Sequence, residues 1–393
     1  MTGTLDGIRV VDVAAGAQGP WAGALLTDLG AEVIKVEPPE GDWMRSGPQR
    51  PSKKGLALAT LGLNHGKRSI VLDLKQSKDM EVFLKLIERA DVFLEAWRAG
   101  AADRLGIGYK DLVKINPKII YASSSGFGNA PNNKYNTRPG MGGSSAAMSG
   151  LGSISGPPGG PGEIGRFQLM DLTGPLPIVQ GIIFALIARE RTGEGQWVQC
   201  GQTLTGICLQ AARIGEYFAS GKAPQPLGSA SSNVVPSQSF KTTNGYINVE
   251  APTQGIWRRL CQAMDMVHLL EDPRFETDAQ RVVNRSHLVA LLEARFLEAT
   301  TEQWLEVLER HDVPVGPVVW SVKELYSNPQ IAANKLIMTK EHPVAGWVRV
   351  PASPWVFSRT PAQYKWVGPV LGEHQEEILR EVSGRKEVAE GRQ

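Results

Sequence analysis

The sequence predicts an α/β protein whose larger part is a doubly wound parallel sheet, with a smaller α+β domain beyond it. Three observations carry this expectation. Short apolar runs rich in β-branched residues alternate with helical patterns from Ile8 to Ser124. The chain has 393 residues, too many for one ordinary core, which predicts two domains or three. Hydrophobicity falls across Gly221–Ser239, and the pattern changes character after that linker.

Ile8–Val13 (IRVVDV) is the first β-rich run. Pro20 sits where a helix begins, since its missing N–H is no loss in a first turn, and Trp21–Leu29 continues at helical spacing up to Gly30. Ala31–Val36 is a second strand, followed by a polar Pro/Gly-rich segment over 37–64. Ser69–Leu74 is a third strand, Asp79–Arg89 an amphipathic helix and Asp91–Ala96 a fourth strand. A short helix over Lys110–Ile115 precedes a fifth strand at Ile119–Ser124. In such sheets ligands sit beyond the carboxyl ends of the strands. Residues 126–165, rich in Gly, Pro and Ser, read as a long functional or mobile loop. The apolar stretch Leu176–Ala188 is interrupted by Pro177 and Gln180, so it reads as a buried helix too short to span a bilayer. Trp197–Cys200 is a short strand and Thr203–Ala219 a helix. Beyond the linker, Gly245–Val249 reads as a strand, and 254–263, 287–298 and 301–311 as helices. The tail from Val344 carries a strand pattern and a last helix starting near Glu373.

Composition narrows the function. Apolar residues make up 42% and charged residues 21%, the balance of a soluble globular enzyme. Lys+Arg 42 against Asp+Glu 40 gives a net charge of +2, which argues against a nucleic-acid binder and leaves room for a local basic patch. Three cysteines without CxxC spacing predict a reducing, cytoplasmic setting, and the first residues have neither a basic nor an apolar signal region. Six scattered histidines without an HxH or HxxxH pair predict no metal site.

The most informative residue is Asp171, in the run GRFQLMDLTG (165–174), between a Gly/Pro-rich loop and the apolar helix. A helix N-terminus stabilises a negative charge, and an acid there is either an N-cap or a desolvated group that reaches a ligand. Other familiar chemistries are missing. No Walker A run follows a strand, Pro20 breaks any GxGxxG fingerprint, and no GxSxG elbow is present. Several basic residues, Arg45, Lys67, Arg68, Lys75, Arg98, Arg104, Lys134 and Arg138, lie in or near loops of the first half. If several face one crevice, they suit a polyphosphate ligand.

Segments spread over nearly the whole chain resemble the class III CoA-transferases, the family of formyl-CoA:oxalate and carnitine CoA-transferases that also contains the α-methylacyl-CoA racemases. They are LDGIRVVDV (5–13), GPWAGALLTDLGAEVIKVEPP (19–39), GKRSIVLDLK (66–75), ADVFLEAWRAGAADRLGIGY (90–109), NPKIIYASSSGFG (116–128), RTGEGQWV (191–198), VPVGPV (313–318), NPQ (328–330) and LGEHQEEIL (371–379). The resemblance implies a Rossmann-like large domain built from both chain ends, residues 1–220 with 330–393. It also implies a small α+β domain at 225–325 and two chains interlocked as a homodimer. The substrates it implies are an acyl-CoA and a small carboxylic acid. CoA serves as substrate with no tightly bound cofactor, and neither membrane nor nucleic acid is involved.

In that family the nucleophile is an Asp at the position of Asp171. The resemblance implies that its carboxylate attacks the acyl-CoA thioester to give an aspartyl-acyl anhydride, then an aspartyl-CoA thioester, and that the acceptor acid reverses the sequence. It also implies CoA contacts from Ala17 and Gln18 beside the thioester and from Leu72, Asp73 and Lys75 at the adenosine. Ala96, Trp97 and Arg98 stand where the family often has Asn-Phe-x, so an Asn side chain is lost. Arg104 matches a phosphate-binding Arg. Lys134, Tyr135 and Asn136 match the segment near the pantetheine, with Asn136 replacing the Glu of formyl-CoA transferase. Pro38 replaces that enzyme's phosphate-binding Arg, for which Arg45 offers a substitute, and its Gly-rich flap is missing from 221–245. The acceptor pocket is expected from loops near Asn136–Ser145 and the small domain.

Two rivals stand beside this reading. A racemase needs a proton donor and acceptor flanking the α-carbon. The racemases carry a His in a Gly-His-Asp turn, and the matching residues here are Met141 and Gly142, of which Met cannot exchange a proton. An inactive CoA-binding protein is the other rival, against which the intact Asp171 argues.

Overall fold

The computed structural model describes residues 3–46, 52–53, 56–130, 134–136, 138–160, 162–164 and 168–384. These fall into two compact units. One comprises Met1–Leu151, Ile164–Ala211 and Gln330–Gln393; the other comprises Gly152–Glu163 and Ala212–Pro329. The first unit leaves the chain after Ala211, and residues 152–163 group with the second unit.

The first unit opens with β1 (Arg9–Asp12), α1 (Gln18–Asp28), β2 (Glu32–Glu37), a short ladder β3 (Ser52–Lys53) and β4 (Leu56–Ala57), and α2 (Leu58–Leu63). There follow β5 (Arg68–Val71), α3 (Ser77–Glu88), β6 (Val92–Glu95), α4 (Ala101–Arg104), α5 (Tyr109–Ile115) and β7 (Ile120–Ser125). Then come α6 (Gly142–Met148), α7 (Leu169–Thr173), α8 (Pro175–Thr192), β8 (Trp197–Gly201) and α9 (Gln202–Cys208). Six parallel strands pair in the order β5-β2-β1-β6-β7-β8, so the chain winds outward from β1 first to one edge and then to the other. This is a mixed α/β fold on a parallel sheet, and the order reverses between β1 and β6.

Alternation along the strands builds a core on each face. Val10, Val33, Val92, Leu94, Ile120 and Ala122 point to the side covered by α1 and α8. Val11, Ile34, Ile70, Phe93 and Tyr121 point to the side covered by α3 and α5. Helix α1 approaches the sheet closely enough that a Cβ on Gly19 would stand 2.3 Å from the Ala14 Cβ.

The sequence reading needs three corrections here. Residues 126–165 hold the helix α6. Its Gly-Gly-Ser-Ser start has little helix propensity, but the Ser144 hydroxyl accepts the Met141 N–H and secures the first turn. The helix expected over 203–219 is two helices, α9 and α10 (Ala211–Ser220). Between them Gln210 turns its amide onto the Ser149 and Gly206 carbonyls. Finally, α7 and α8 form one apolar helical run from Leu169 to Thr192, 24 residues, long enough by length and composition to cross a bilayer. Ile178, Val179, Ile182 and Leu186 of that run pack into the core beneath the sheet, as in the core helix of a globular domain.

The second unit has its own core. After α10 come β9 (Ser237–Lys241), β10 (Tyr246–Glu250), α11 (Gln254–Ala263), α12 (Asp278–Val283), α13 (Arg285–Phe296), α14 (Thr301–Arg310), β11 (Val315–Pro317) and α15 (Val322–Leu325). The antiparallel sheet β11-β10-β9 packs with Trp257, Phe275, Phe296 and Trp304.

A short helix α16 (Pro329–Ala333) spans the boundary between the units, and the chain then continues in the first unit. The hairpin β12 (Ile337–His342) and β13 (Gly346–Pro351) leads to α17 (Gln375–Ser383). The tail closes the open edge of β5. The Val71 N–H donates to Gln375 Oε1, and Gln375 Nε2 donates to the Val71 carbonyl, so one side-chain amide stands in for a further strand. Arg68 on the same strand pairs with Glu377 and Glu381.

Candidate active site

A cavity of about 530 Å³ opens within the first unit at the carboxyl ends of β1, β6 and β7, where the strand order reverses. Three turns line it: Ala15–Gln18 after β1, Ala96–Ala99 after β6 and Ser124–Phe127 at the end of β7. Parallel strands place their following turns on one edge, and open α/β sheets bind ligands in that crevice. Arg138–Gly142, Gln168, Asp171 and Gln202 add further wall.

Asp171 lies in the first turn of α7, whose N-cap is Gln168, so its carboxylate does not cap the helix. Residues 165–167 of the surrounding run lie outside the described residues. Gln202 Nε2 donates to Asp171 Oδ1 at 2.6 Å. Oδ2 faces Gly142, where a Cβ would stand only 2.4 Å away. Glycine as the first residue of α6 leaves room for the carboxylate. Burial pushes the Asp171 carboxyl above its ordinary range, and the Gln202 hydrogen bond draws it partway back.

The β1 turn is held from below by buried charge. Lys67 Nζ donates to Asp12 Oδ2 at 2.7 Å and to Asn64. Lys35 Nζ donates to the Ala14 carbonyl, and the Gly16 N–H donates to Asp42. Each charge has a partner, as burial demands, and together they fix the backbone of the cavity wall. At the end of β6, the buried Glu95 accepts the Trp97 N–H at 2.7 Å. Burial pushes its carboxyl up to about 8; the Trp97 hydrogen bond lowers it and nearby Asp103 raises it further.

Of the residues singled out in the sequence, Ala17, Gln18, Ala96, Trp97, Arg98, Asn136 and Asp171 line this cavity. Leu72, Asp73 and Lys75 follow β5 at the sheet edge: Leu72 is buried in the core, Asp73 accepts the Lys75 N–H, and Lys75 is exposed. Arg104 ends α4 and is exposed. Lys134 stands 5.6 Å over the Tyr135 ring, and Arg138 stacks on the same ring at 4.4 Å. Arg45 is committed elsewhere. Its guanidinium grips both oxygens of the buried Glu37, at 2.6 and 2.7 Å, and donates to the Pro369 carbonyl. Burial raises the Glu37 carboxyl, but Arg45, Lys35 and the Asp42 N–H together hold it below its ordinary range. Arg45 is thereby tied to the fold through Glu37 and the Pro369 carbonyl.

Among the described residues, four buried polar atoms of cavity-lining residues have no hydrogen-bond partner: Gln18 Nε2, Ser124 Oγ, Ser125 Oγ and Asn136 Oδ1. Buried polar groups are normally paired, so this clustering marks a surface shaped for a polar ligand.

Residues 5–375 match the family model described as CoA-transferase family III. The chain belongs to CoA-transferase family III. It is 34% identical over 380 residues to the succinyl-CoA:glutarate CoA-transferase of Mus musculus, covering 96% of this chain and 86% of that one. It is 36% identical over 355 residues to the acetyl-CoA:oxalate CoA-transferase of Acetobacter aceti, covering 90% and 88%. A CAIB/BAIF family protein from Brucella suis superposes with a TM-score of 0.85 at 33% identity, over 97% of this chain and all of the other. The protein is thus a class III CoA-transferase.

Sequence reasoning missed Gln202 in this family III enzyme. It follows Gly201 at the carboxyl end of β8, so the rule that ligands gather at strand ends was the available signal. Gly142 and Ser145 were placed in a loop near the acceptor pocket, without the contacts that tie them to Asp171 and Gln202.

Proposed function

We propose that the enzyme moves CoA from an acyl-CoA thioester to a free carboxylic acid, with Asp171 as the covalent carrier. The observation that carries this reading is the position of Asp171. Among the described residues lining the cavity it is the only carboxylate, it is half-buried, and its Oδ2 accepts no hydrogen bond from the described residues. The carboxylate attacks the thioester carbonyl, the C–S bond breaks, and CoA thiolate leaves an aspartyl-acyl anhydride. The thiolate then attacks the aspartyl carbonyl, the donor acid departs, and an aspartyl-CoA thioester remains. The acceptor carboxylate runs both steps in reverse. An anhydride is reactive enough to regenerate a thioester, which turns one hard exchange into easier ones, and partial burial limits loss to water.

CoA laid along the carboxyl edge of the sheet accounts for the separated candidates. Leu72, Asp73 and Lys75 follow β5, four strand spacings from β7, or roughly 19 Å at about 4.8 Å per strand. The adenosine end lies there, with Arg104 and Lys134 as phosphate and pantetheine contacts, and the thioester lies beside Gln18 and Asp171. Arg98 and Arg138 line the cavity and form no ion pair among the described residues. They suit the distal carboxylate of a dicarboxylic substrate, in keeping with relatives named for succinyl-CoA and glutarate.

Racemisation has no support in this cavity. Met141 and Gly142 flank Asp171, and no His lines the described wall. The test is CoA transfer from succinyl-, acetyl- and formyl-CoA to a panel of acids, followed by mass spectrometry, with wild type and Asp171→Ala. Loss of transfer in the variant, with a CoA adduct on the wild-type Asp171 peptide, is the expected result. Transfer retained by Asp171→Ala overturns the mechanism.

The quaternary reading is an interlocked homodimer. Phe184, Ile187, Leu204 and Ile207 on α8 and α9 are exposed, as are Leu209 just beyond α9 and Phe218 on α10, a helix with no buried residue. Apolar faces of this kind mark interfaces. Light scattering after size exclusion should give a dimer that persists on dilution to nanomolar concentration; a monomer mass refutes it.

A further inference from the structure

We infer that Gln202 is a catalytic donor, which orients the Asp171 carboxylate and then binds the oxyanion formed on Asp171 Oδ1 whenever the aspartyl carbonyl is attacked. The inference rests on the covalent-aspartate reading above.

The geometry fixes the direction of the amide. Gln202 is 5% exposed, and its Oε1 lies 3.0 Å from the Oγ of Ser145, which is fully buried. The Ser145 hydroxyl also lies 3.1 Å from the Gly126 carbonyl, but that oxygen already accepts the Thr203 N–H and the Thr203 hydroxyl. Two lone pairs are then taken, so the Ser145 proton goes to Gln202 Oε1. Nε2 is left facing Asp171, at 2.6 Å from Oδ1. A flipped amide would set its oxygen against the carboxylate.

The two aspartyl oxygens thereby acquire different duties. Oδ1 is held by Gln202, and Oδ2 faces the space left by Gly142. When Oδ2 attacks the donor thioester, it becomes the bridging oxygen of the anhydride, and Oδ1 becomes the aspartyl carbonyl oxygen. CoA thiolate then attacks Cγ, forming a C–S bond, and an electron pair moves onto Oδ1. That pair returns as the Cγ–Oδ2 bond breaks, and the donor acid leaves carrying Oδ2. Attack of the acceptor carboxylate on the aspartyl-CoA thioester again drives a pair onto Oδ1 and expels CoA thiolate. In both steps charge develops on the atom that Gln202 already touches. In the two steps at the acyl carbonyls it develops on the substrate oxygen instead. Gln202 thus serves the middle of the cycle.

Three variants test this: Asp171→Ala, Gln202→Leu and Gln202→Glu. Removal of one preorganised oxyanion donor slows catalysis by ~10²–10³-fold, so Gln202→Leu should lose about that much kcat with a smaller change in KM. In a single turnover with succinyl-CoA it should release free thiol ahead of succinate, because the anhydride waits, whereas wild type retains CoA as the Asp171 adduct. Its acidic limb of kcat/KM should move to higher pH, because a hydrogen bond that favours the ionised carboxylate is gone. Gln202→Glu can donate only while the pair shares one proton, so its activity should fall as pH rises through neutrality. Wild-type kcat and an unmoved acidic limb in Gln202→Leu overturn the inference. Should the leucine variant fail to fold, a Gln202→Glu profile matching wild type overturns it instead. Activity in Asp171→Ala refutes the underlying covalent reading, whereas a dead Asp171→Ala beside a fully active Gln202→Leu refutes only the role of Gln202.

Discussion

Gly142→Ala places one methyl group against the nucleophile, and the structure sets the size of the effect. The new Cβ would lie 2.4 Å from Asp171 Oδ2, 2.9 Å from Cγ and 3.1 Å from Oδ1. Relief to an ordinary contact moves the carboxylate by about 1 Å, a displacement that costs on the order of 10²-fold in rate. Two factors of ten raise the barrier by about 2.7 kcal/mol. If the carboxylate moves away from Gln202, the 2.6 Å bond stretches beyond hydrogen-bonding range. Losing that bond costs about 1.5–3 kcal/mol of stability, while Gly→Ala within a helix returns up to about 1 kcal/mol. The net change in Tm is then a few degrees at most. Gly143→Ala is the control, since a Cβ there meets nothing within 4 Å. Steady-state transfer from a CoA thioester to an acid, with a thermal melt of each protein, checks both. A Gly142→Ala enzyme with wild-type kcat, or a Gly143→Ala enzyme equally impaired, refutes this account of the carboxylate.

Three further outcomes are expected. Arg45→Met should lower Tm by several degrees, because it strands the buried Glu37 at a cost of about 3–5 kcal/mol, while the KM for acyl-CoA stays near wild type; a raised KM with unchanged Tm would restore Arg45 as a phosphate ligand. Glu95→Gln should flatten the pH dependence of stability. The folded state holds the Glu95 proton up to about 8, against 4.5 as the ordinary value, so stability falls as pH rises between these values. The glutamine variant should melt above wild type at pH 8.5 and with it at pH 4, as calorimetry can show. Asp171→Asn should melt higher than wild type at neutral pH, since the folded state disfavours the ionised carboxylate; a lower Tm would show that the carboxylate is stabilised in place.

Much of the frame could be read from local pattern. The strands from Val10 to Ser124 announce themselves through short apolar cores rich in β-branched residues, such as Val10-Val11, Val33-Ile34 and Val92-Phe93-Leu94, that supply the two faces of the sheet. By local pattern alone Asp171 could be a simple N-cap, since acids are common at helix starts; only the family resemblance singled it out as a nucleophile. Other features depend on juxtaposition. Gln202 is 31 residues from Asp171, and an amide gains meaning only when the end of β8 is set beside α7. The α6 sequence, GGSSAAM, has no apolar stripe, so its helix depends on Ser144 and on contacts of Ser145 rather than on propensity. Arg45 showed a positive charge in a loop, but Glu37 and the Pro369 carbonyl, from opposite ends of the chain, claimed it first.

The clasp of Gln375 on β5 has a consequence for biosynthesis. The two residues it joins are 304 positions apart. At ~5–20 residues per second of synthesis, roughly 15–60 s pass between the emergence of Val71 and that of the residue that seals it. Throughout that interval the edge of β5 offers its N–H and C=O groups to any passing strand. The nascent chain is therefore most vulnerable to mispairing while most of its sheet is already complete, and truncation before Gln375 would make that transient state permanent.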